Sequence, residues 1–232
     1  MLRKIMETLF GRPVEAEEPF RTLPTEMPRT VDQFVGDLQH RDWLRRRRAA
    51  HELGEREREA APALVALVET LVDVREEVRN AAERALGRID SAWRTRTQIA
   101  EAVPTLIRAL AGDRAPEVAR AAGETLDRLG VVAGPGLAQF VREDDNLYLQ
   151  ILAIRALGKL GPDAAPAVTT LIATLKAQPH ALREAAAEAL ERIGPAASAA
   201  IEPLRALTKD PYDRVKEAAT AALARIEPSK PS

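Results

Sequence analysis

The chain has 232 residues, 34 Lys plus Arg against 35 Asp plus Glu, a formal net charge of -1 and no cysteine. That balance lacks the basic excess of a chain that binds nucleic acid by counterion release. The missing cysteine removes disulfides, thiolate metal sites and cysteine nucleophiles together. The first ten residues, MLRKIMETLF, set Leu2, Ile5, Met6, Leu9 and Phe10 at helical spacing on one apolar face. They are too short, and too interrupted by Glu7, for a signal-peptide core, and no run approaches membrane-spanning length, so the cytoplasm is the expected compartment. Two uses of residues 1–10 stay open. One is a frayed or self-docked end; the other is a docking peptide for a partner or a membrane surface. Prolines at 13, 19, 24 and 28, with Glu15, Glu17 and Glu18 between them, make 11–29 an extended tether. The expected organisation is therefore a helix and tether over 1–29, a folded array over 30–227 and a disordered tail over 228–232.

From residue 30 the chain repeats itself. Leucines 53, 86, 126, 157, 190 and 223 each end a helical pattern rich in alanine, at spacings of 33, 40, 31, 33 and 33 residues. In each pattern an apolar residue, or Arg45 in the first, an alanine and the leucine follow one another at i, i+4 and i+8, which predicts one stripe along a helix. Alanine is the best helix former and lets neighbouring helices approach closely. Gly161-Pro162 and Gly194-Pro195 pair a left-handed cap with a residue that cannot continue the helix. A second helix then follows, with stripes such as Val168, Leu171, Ile172 and Leu175, or Val103, Leu106, Ile107 and Leu110. Acidic turn residues Asp73, Asp113, Asp144 and Asp210 close the units. A single pair leaves one apolar face uncovered, so neighbours must stack.

Residues 31–41 read as the second helix of an incomplete leading unit, and 212–227 as a first helix with a polar outer side, suited to an end cap. This pattern resembles the HEAT family, in particular the short bacterial HEAT-like repeats of phycobilisome lyases, over residues 31–227. The resemblance implies an all-α, right-handed α-α superhelix, a HEAT-like solenoid of about six helical-pair repeats with terminal half-repeats. It also implies a ladder between successive repeats, in which a turn aspartate stands six residues before an arginine of the first helix. Asp73/Arg79 and Asp210/Lys216 keep that spacing, Asp113/Ala119 and Asp144/Gln150 keep the acid alone, and Arg183 has no acid at that spacing.

Chemical constellations are sparse. His51-Glu52 resembles one of the His-Glu pairs that hold two irons in deoxyhypusine hydroxylase, a HEAT-repeat enzyme that needs four such pairs; a solvated helix histidine is the simpler reading. Arg45 to Arg48, near Arg41, Arg56 and Arg58, form a basic cluster that could bind phosphate or an acidic peptide. The alternative is a solvated surface, since the four wrap all sides of a helix with Asp42, Glu52, Glu55 and Glu57 interleaved. Gly134-Pro135-Gly136 lacks the preceding strand and the Lys-Ser/Thr of a phosphate loop and reads as a helix start. The 40-residue spacing marks an insertion, Asp90 to Gln98, within the second repeat. Insertions in repeat arrays often map to the binding face. Trp93 between Arg94 and Arg96 has the composition of an interface anchor; the alternative is an indole folded back over the helix ends. Opposite the apolar stripes of the second helices, which line the concave side of such solenoids, lie Glu69 and Thr70, Thr105 and Arg108, Gln139 and Arg142, then Thr170 and Thr174. This strip is small, mixed in sign and free of aromatics, and suits a polypeptide better than nucleic acid.

The expected function is a non-enzymatic scaffold or adaptor that binds a protein or peptide through the concave strip and the 90–98 loop, with no cofactor, no metal and no catalytic residue. Two alternatives differ in kind. One is a bilin-lyase-like or other HEAT-containing enzyme subunit; the HEAT-like alkylpurine DNA glycosylases need a basic, aromatic-lined groove that this composition does not supply. The other is a peripheral adaptor brought to a membrane by residues 1–10.

Overall fold

The structure is a computed structural model that describes residues 29–112 and 115–227. The apolar face of residues 1–10, the tether as far as residue 28, Asp113 and the tail 228–232 lie outside the described residues. Within them the chain is α-helical without strands. Helix α1 (Val31–Asp37) is the unpaired leading second helix. Five pairs follow: α2 (Trp43–Glu55) with α3 (Leu64–Thr70), α4 (Glu76–Ile89) with α5 (Val103–Leu110), α6 (Pro116–Leu129) with α7 (Ala133–Glu143), α8 (Leu147–Lys159) with α9 (Val168–Thr174), and α10 (His180–Ile193) with α11 (Ile201–Leu207). Helix α12 (Asp213–Ile226) is a first helix without a described second member. This is the expected solenoid, with a half repeat before and after the five full pairs.

The stripe accounts for the packing. Anchor leucines 53, 86, 126, 157 and 190 are buried, as are the alanines one turn before each anchor, at 49, 82, 122, 153, 186 and 219. Leu223 of α12 is only partly buried, with no further helix over it among the described residues. Each buried leucine contributes about 1.5–3 kcal/mol. Small residues set the separation of stacked first helices. A Cβ on Gly54 of α2 would lie 3.0 Å from the Ala85 Cα of α4, and one on Gly158 of α8 would lie 3.1 Å from the Ala189 Cα of α10.

First helices stop four residues past the anchor. Gly130, Gly161 and Gly194 sit there with φ of 51°, 59° and 71°, a left-handed region that costs glycine nothing and other residues about 1–2 kcal/mol. In the first repeat Glu57 holds that place, with φ 47°. Replacing Glu57 by glycine is therefore expected to raise stability by about 0.5–1 kcal/mol, read as a melting temperature a few degrees higher. An unchanged or lower melting temperature would show that the turn carries no strain.

In the second repeat the same place is Asp90, which is extended (φ -155°) and starts the insertion. Its carboxylate accepts from the Ala92 N–H at 2.9 Å, and a short turn, Trp93–Thr95, follows. That turn packs against both α4 and α6. Gly87 has the register of Gly54 and Gly158, yet nothing lies within 4 Å of where its Cβ would be. The insertion is thus a wedge between the first helices of repeats two and three, and Trp93 is its buried edge, 1% exposed. This corrects the reading of Trp93 as an exposed interface anchor: the indole is buried in a turn that packs against both first helices.

The ladder also differs from expectation. Arg46 donates through Nε and Nη2 to the two carboxylate oxygens of Asp73, at 2.5 and 2.9 Å, and through Nη1 to the His40 carbonyl at 2.8 Å. Arg183 repeats the arrangement with Asp210, at 2.8 and 3.1 Å, and with the carbonyls of Ala177 and Gln178. Each arginine therefore clamps the turn before its own helix and the turn 27 residues ahead. Arg183 does have an acid, and the aspartate six residues before an arginine is not its partner: Arg79 takes only the backbone carbonyls of Asp73 and Val74. Lys216 likewise pairs with Asp213, at 2.6 Å, rather than with Asp210. Where the third and fourth repeats lack the arginine, Gln150 donates instead to the Val141 carbonyl at 3.1 Å. Arg46 is thus the structural member of the Arg45–Arg48 run; Arg45 pairs with Asp37 at 3.0 Å and Arg47 lies over Trp43.

Candidate functional site: the second-helix face

The proposed strip forms a chain of contacts between successive second helices. Thr105 of α5 donates to Glu69 of α3 at 2.6 Å. Arg142 of α7 donates to Thr170 of α9 at 2.8 Å, and Thr174 returns its own hydroxyl to the Thr170 carbonyl. Thr70, buried, does the same to Ala66. Threonines on these short helices thus satisfy themselves locally, as Ser and Thr do mid-helix, while the longer side chains reach across the layer. Glu69 with Thr105 and Arg142 with Thr170 are brought together; Arg108 and Gln139 are exposed and take no part in those two pairs.

Those two flank a groove of about 450 Å³ between α5 and α7. Arg108 extends over the ring of Phe140 at 5.4 Å and donates to Asp144 at 3.3 Å. Gln139 donates to both carboxylate oxygens of Glu143, each at 3.1 Å. Glu101, Pro104 and Gly136 complete the walls and floor. Gly136 is required here: a Cβ would stand 2.5 Å from the Ala100 carbonyl oxygen, so only glycine lets α7 close on the turn before α5. Gly134-Pro135-Gly136 therefore serves the first turn of α7, as its sequence suggests. Glu101, Phe140, Glu143 and Asp144 were not among the expected residues. Glu143 is one turn from Gln139 and could have been found from that spacing; Phe140 belongs to the buried stripe, and only the arginine laid over it brings it to the groove.

The insertion offers its cations in paired form. Arg94 donates to Glu83 at 2.6 Å and lies over the Trp93 ring at 4.6 Å. Arg96 donates to Asp90 at 2.5 Å. That hydrogen bond, then the Ala92 N–H and the nearby charges of Arg96 and Arg58, hold the Asp90 carboxyl below its ordinary value. The loop's remaining opening is a hollow of about 560 Å³ that includes Arg58, Arg88, Ser91 and Gln98. His51 is exposed beside Glu55, at 3.5 Å. Among the described residues no three His, Asp or Glu side chains group as a metal site would need, and no helix is long and apolar enough to cross a membrane.

The repeat register, its left-handed caps and its matching family model converge from Gly134 onward, where the model for HEAT repeats covers 134–224. The match begins in α7, past the insertion, where the spacing of the HEAT anchors has become regular. Among solved structures, a computationally designed armadillo repeat protein for modular peptide recognition is 20% identical, with a TM-score of 0.43, covering 85% of this chain and 100% of its own. An engineered protein is 23% identical, with a TM-score of 0.41, covering 84% of this chain and 96% of its own. The complex of CpcE and CpcF of phycocyanin lyase from Nostoc sp. PCC7120 is 26% identical over 89% of this chain and 79% of that one, with a TM-score of 0.29. No curated protein matches the chain.

Proposed function

We propose that the chain is a non-enzymatic scaffold that binds a polypeptide partner along its second-helix face, centred on the α5–α7 groove. The observation that carries this reading is the makeup of that groove. It has an apolar floor at Phe140 and Pro104, exposed Arg108 and Gln139 at its sides, and Glu101, Glu143 and Asp144 within reach. Such a mixture of donors, acceptors and apolar area suits a peptide backbone with its side chains. A strip of hydrogen-bonded pairs on either side, Glu69 with Thr105 and Arg142 with Thr170, holds the groove in shape, because each pair ties one second helix to the next. Arg96 lines the hollow of the insertion and, with Arg94 near it in sequence, is a secondary contact. Trp93 takes no direct part.

Selection of peptides from a displayed library against the immobilised chain tests the reading. Enriched peptides are expected to bind the wild type and to lose at least about ten-fold in affinity when Arg108→Glu and Gln139→Ala are combined, with melting within a few degrees because both side chains are exposed. Peptides that bind the double variant as well as the wild type would move the site elsewhere.

A further inference from the structure

The opposite face of the first two repeats carries a second surface of different character. Two adjoining hollows between the first helices α2 and α4, of about 670 and 310 Å³, share His51, Ala81 and Arg84. Their floor is small, with Gly54, Ala81, Ala85 and Gly87, since these are the residues that let the two helices stack. Their walls are cationic: Arg47, Arg48 and His51 rise from α2, Arg84 and Arg88 from α4. Glu77 is the one acid lining them.

The state of these arginines matters more than their number. Arg88 is engaged by Glu55, and Arg48 stands 3.9 Å from Glu52. Arg84 makes no ion pair or hydrogen bond with any described residue, and Arg47 meets only the Trp43 ring. Several arginines elsewhere in the array are taken up by carboxylates, among them Arg46, Arg94, Arg96 and Arg183. Two exposed guanidinium groups are therefore left facing one groove. Arginine is the side chain whose planar fork grips a carboxylate with two parallel hydrogen bonds.

The helix register sets the form of the ligand. Asn80, Arg84 and Arg88 follow at i, i+4 and i+8 on α4, so they rise in one row about 6 Å apart. Side chains on the same side of an extended peptide recur about 6.6–6.8 Å apart. We infer that the α2–α4 groove is a second docking surface, which takes an acidic polypeptide segment in extended form with carboxylates at alternate positions. Leu44, 50% exposed at one end of the groove, offers an apolar contact for the segment's terminus. A nucleic-acid strand fits less well, because no aromatic side chain lines the groove for its bases to stack on. This surface is independent of the second-helix groove, and either could fail without the other.

The test is fluorescence anisotropy on the full chain with a labelled peptide of alternating glutamate and serine. The controls are its glutamine counterpart, a peptide of equal charge with the glutamates in one block, and a single-stranded oligonucleotide of the same length. The alternating peptide is expected to bind best, less tightly as salt is raised, and at least about ten-fold less tightly to Arg47→Glu combined with Arg84→Glu. Arg84→Lys should recover only part of the loss relative to Arg84→Glu, because an ammonium has no fork. Arg155→Glu, at an exposed position of α8 outside both grooves, should change nothing. Equal binding of the glutamine peptide, or binding that survives the double charge reversal, would overturn the assignment. So would tighter binding of the oligonucleotide at the same arginines, which would make the surface a nucleic-acid contact.

Discussion

Trp93→Ala is expected to lower the melting temperature by roughly 10 °C, the largest effect of any single substitution in the insertion. The indole is 1% exposed, and its turn stands between α4 and α6. Removing it leaves a cavity in the turn between these two helices. Truncating a buried aromatic costs about 3–5 kcal/mol when the surroundings cannot collapse, and here they cannot easily do so, because α4 and α6 are each also packed against the second helix of the preceding repeat. In an array stabilised by nearest-neighbour contacts the loss falls on the junction of repeats two and three. The melt is therefore expected to broaden or split as well as shift. Circular dichroism and calorimetry read both. Trp93→Phe should recover much of the loss by refilling the space. A melting temperature within about 2 °C of wild type for Trp93→Ala would show that the wedge is held by the Arg94–Glu83 and Arg96–Asp90 pairs instead.

Breaking the Arg183–Asp210 clamp is expected to cost about 3 kcal/mol. Their side chains are 11% and 5% exposed, so Arg183→Ala leaves a carboxylate with little water, and it also strips a donor from the Ala177 and Gln178 carbonyls. Asp210→Ala leaves the guanidinium in the converse position and removes the acceptor of the Tyr212 N–H. The double variant should lose less than the sum, because neither charge is then stranded. Arg183→Lys should fall between, since one ammonium cannot serve a carboxylate and two carbonyls in the plane of the guanidinium. The hydrogen bond from Arg183, ahead of the Tyr212 N–H, holds the Asp210 carboxyl below its ordinary value. The folded state thus binds fewer protons there than the unfolded chain. The clamp's contribution is fully present above about pH 4 and is lost as pH falls through the lowered folded value. Denaturant unfolding measured across the acid range should show a steeper loss for wild type than for Asp210→Ala. Parallel curves, or strictly additive single variants, would mean that the pair is a surface contact of little weight.

Much of the architecture follows from local pattern. The leucine-centred helices, the alanines one turn earlier and the glycine turns at 161 and 194 are properties of segments shorter than about fifteen residues, where helical period and cap chemistry act alone. The strip of the second helices is legible for the same reason: Glu69, Thr105, Arg108, Gln139, Arg142, Thr170 and Thr174 are the residues opposite each apolar stripe. Pairing between repeats is a different matter. The turn acid six residues before an arginine offers its backbone carbonyl, as Asp73 does to Arg79, whereas the carboxylate that arrives in space belongs to the turn 27 residues ahead.

The groove residues Phe140 and Glu101 show the same limit. Phe140 has the spacing of a core residue and is buried as one; it enters the groove because Arg108 lies across it from another helix. Trp93 is the sharpest case. Its flanking arginines fit both an exposed anchor and a buried wedge, and its local sequence weighs equally for each. The amino-acid sequence by itself determined the repeating helix pairs, their caps and the side of each helix that meets water, because these depend on neighbours three and four residues away. Only the tertiary structure decided which turn each arginine clamps and where the insertion goes, because both depend on the offset between stacked helices, set by contacts as small as Gly54 on Ala85.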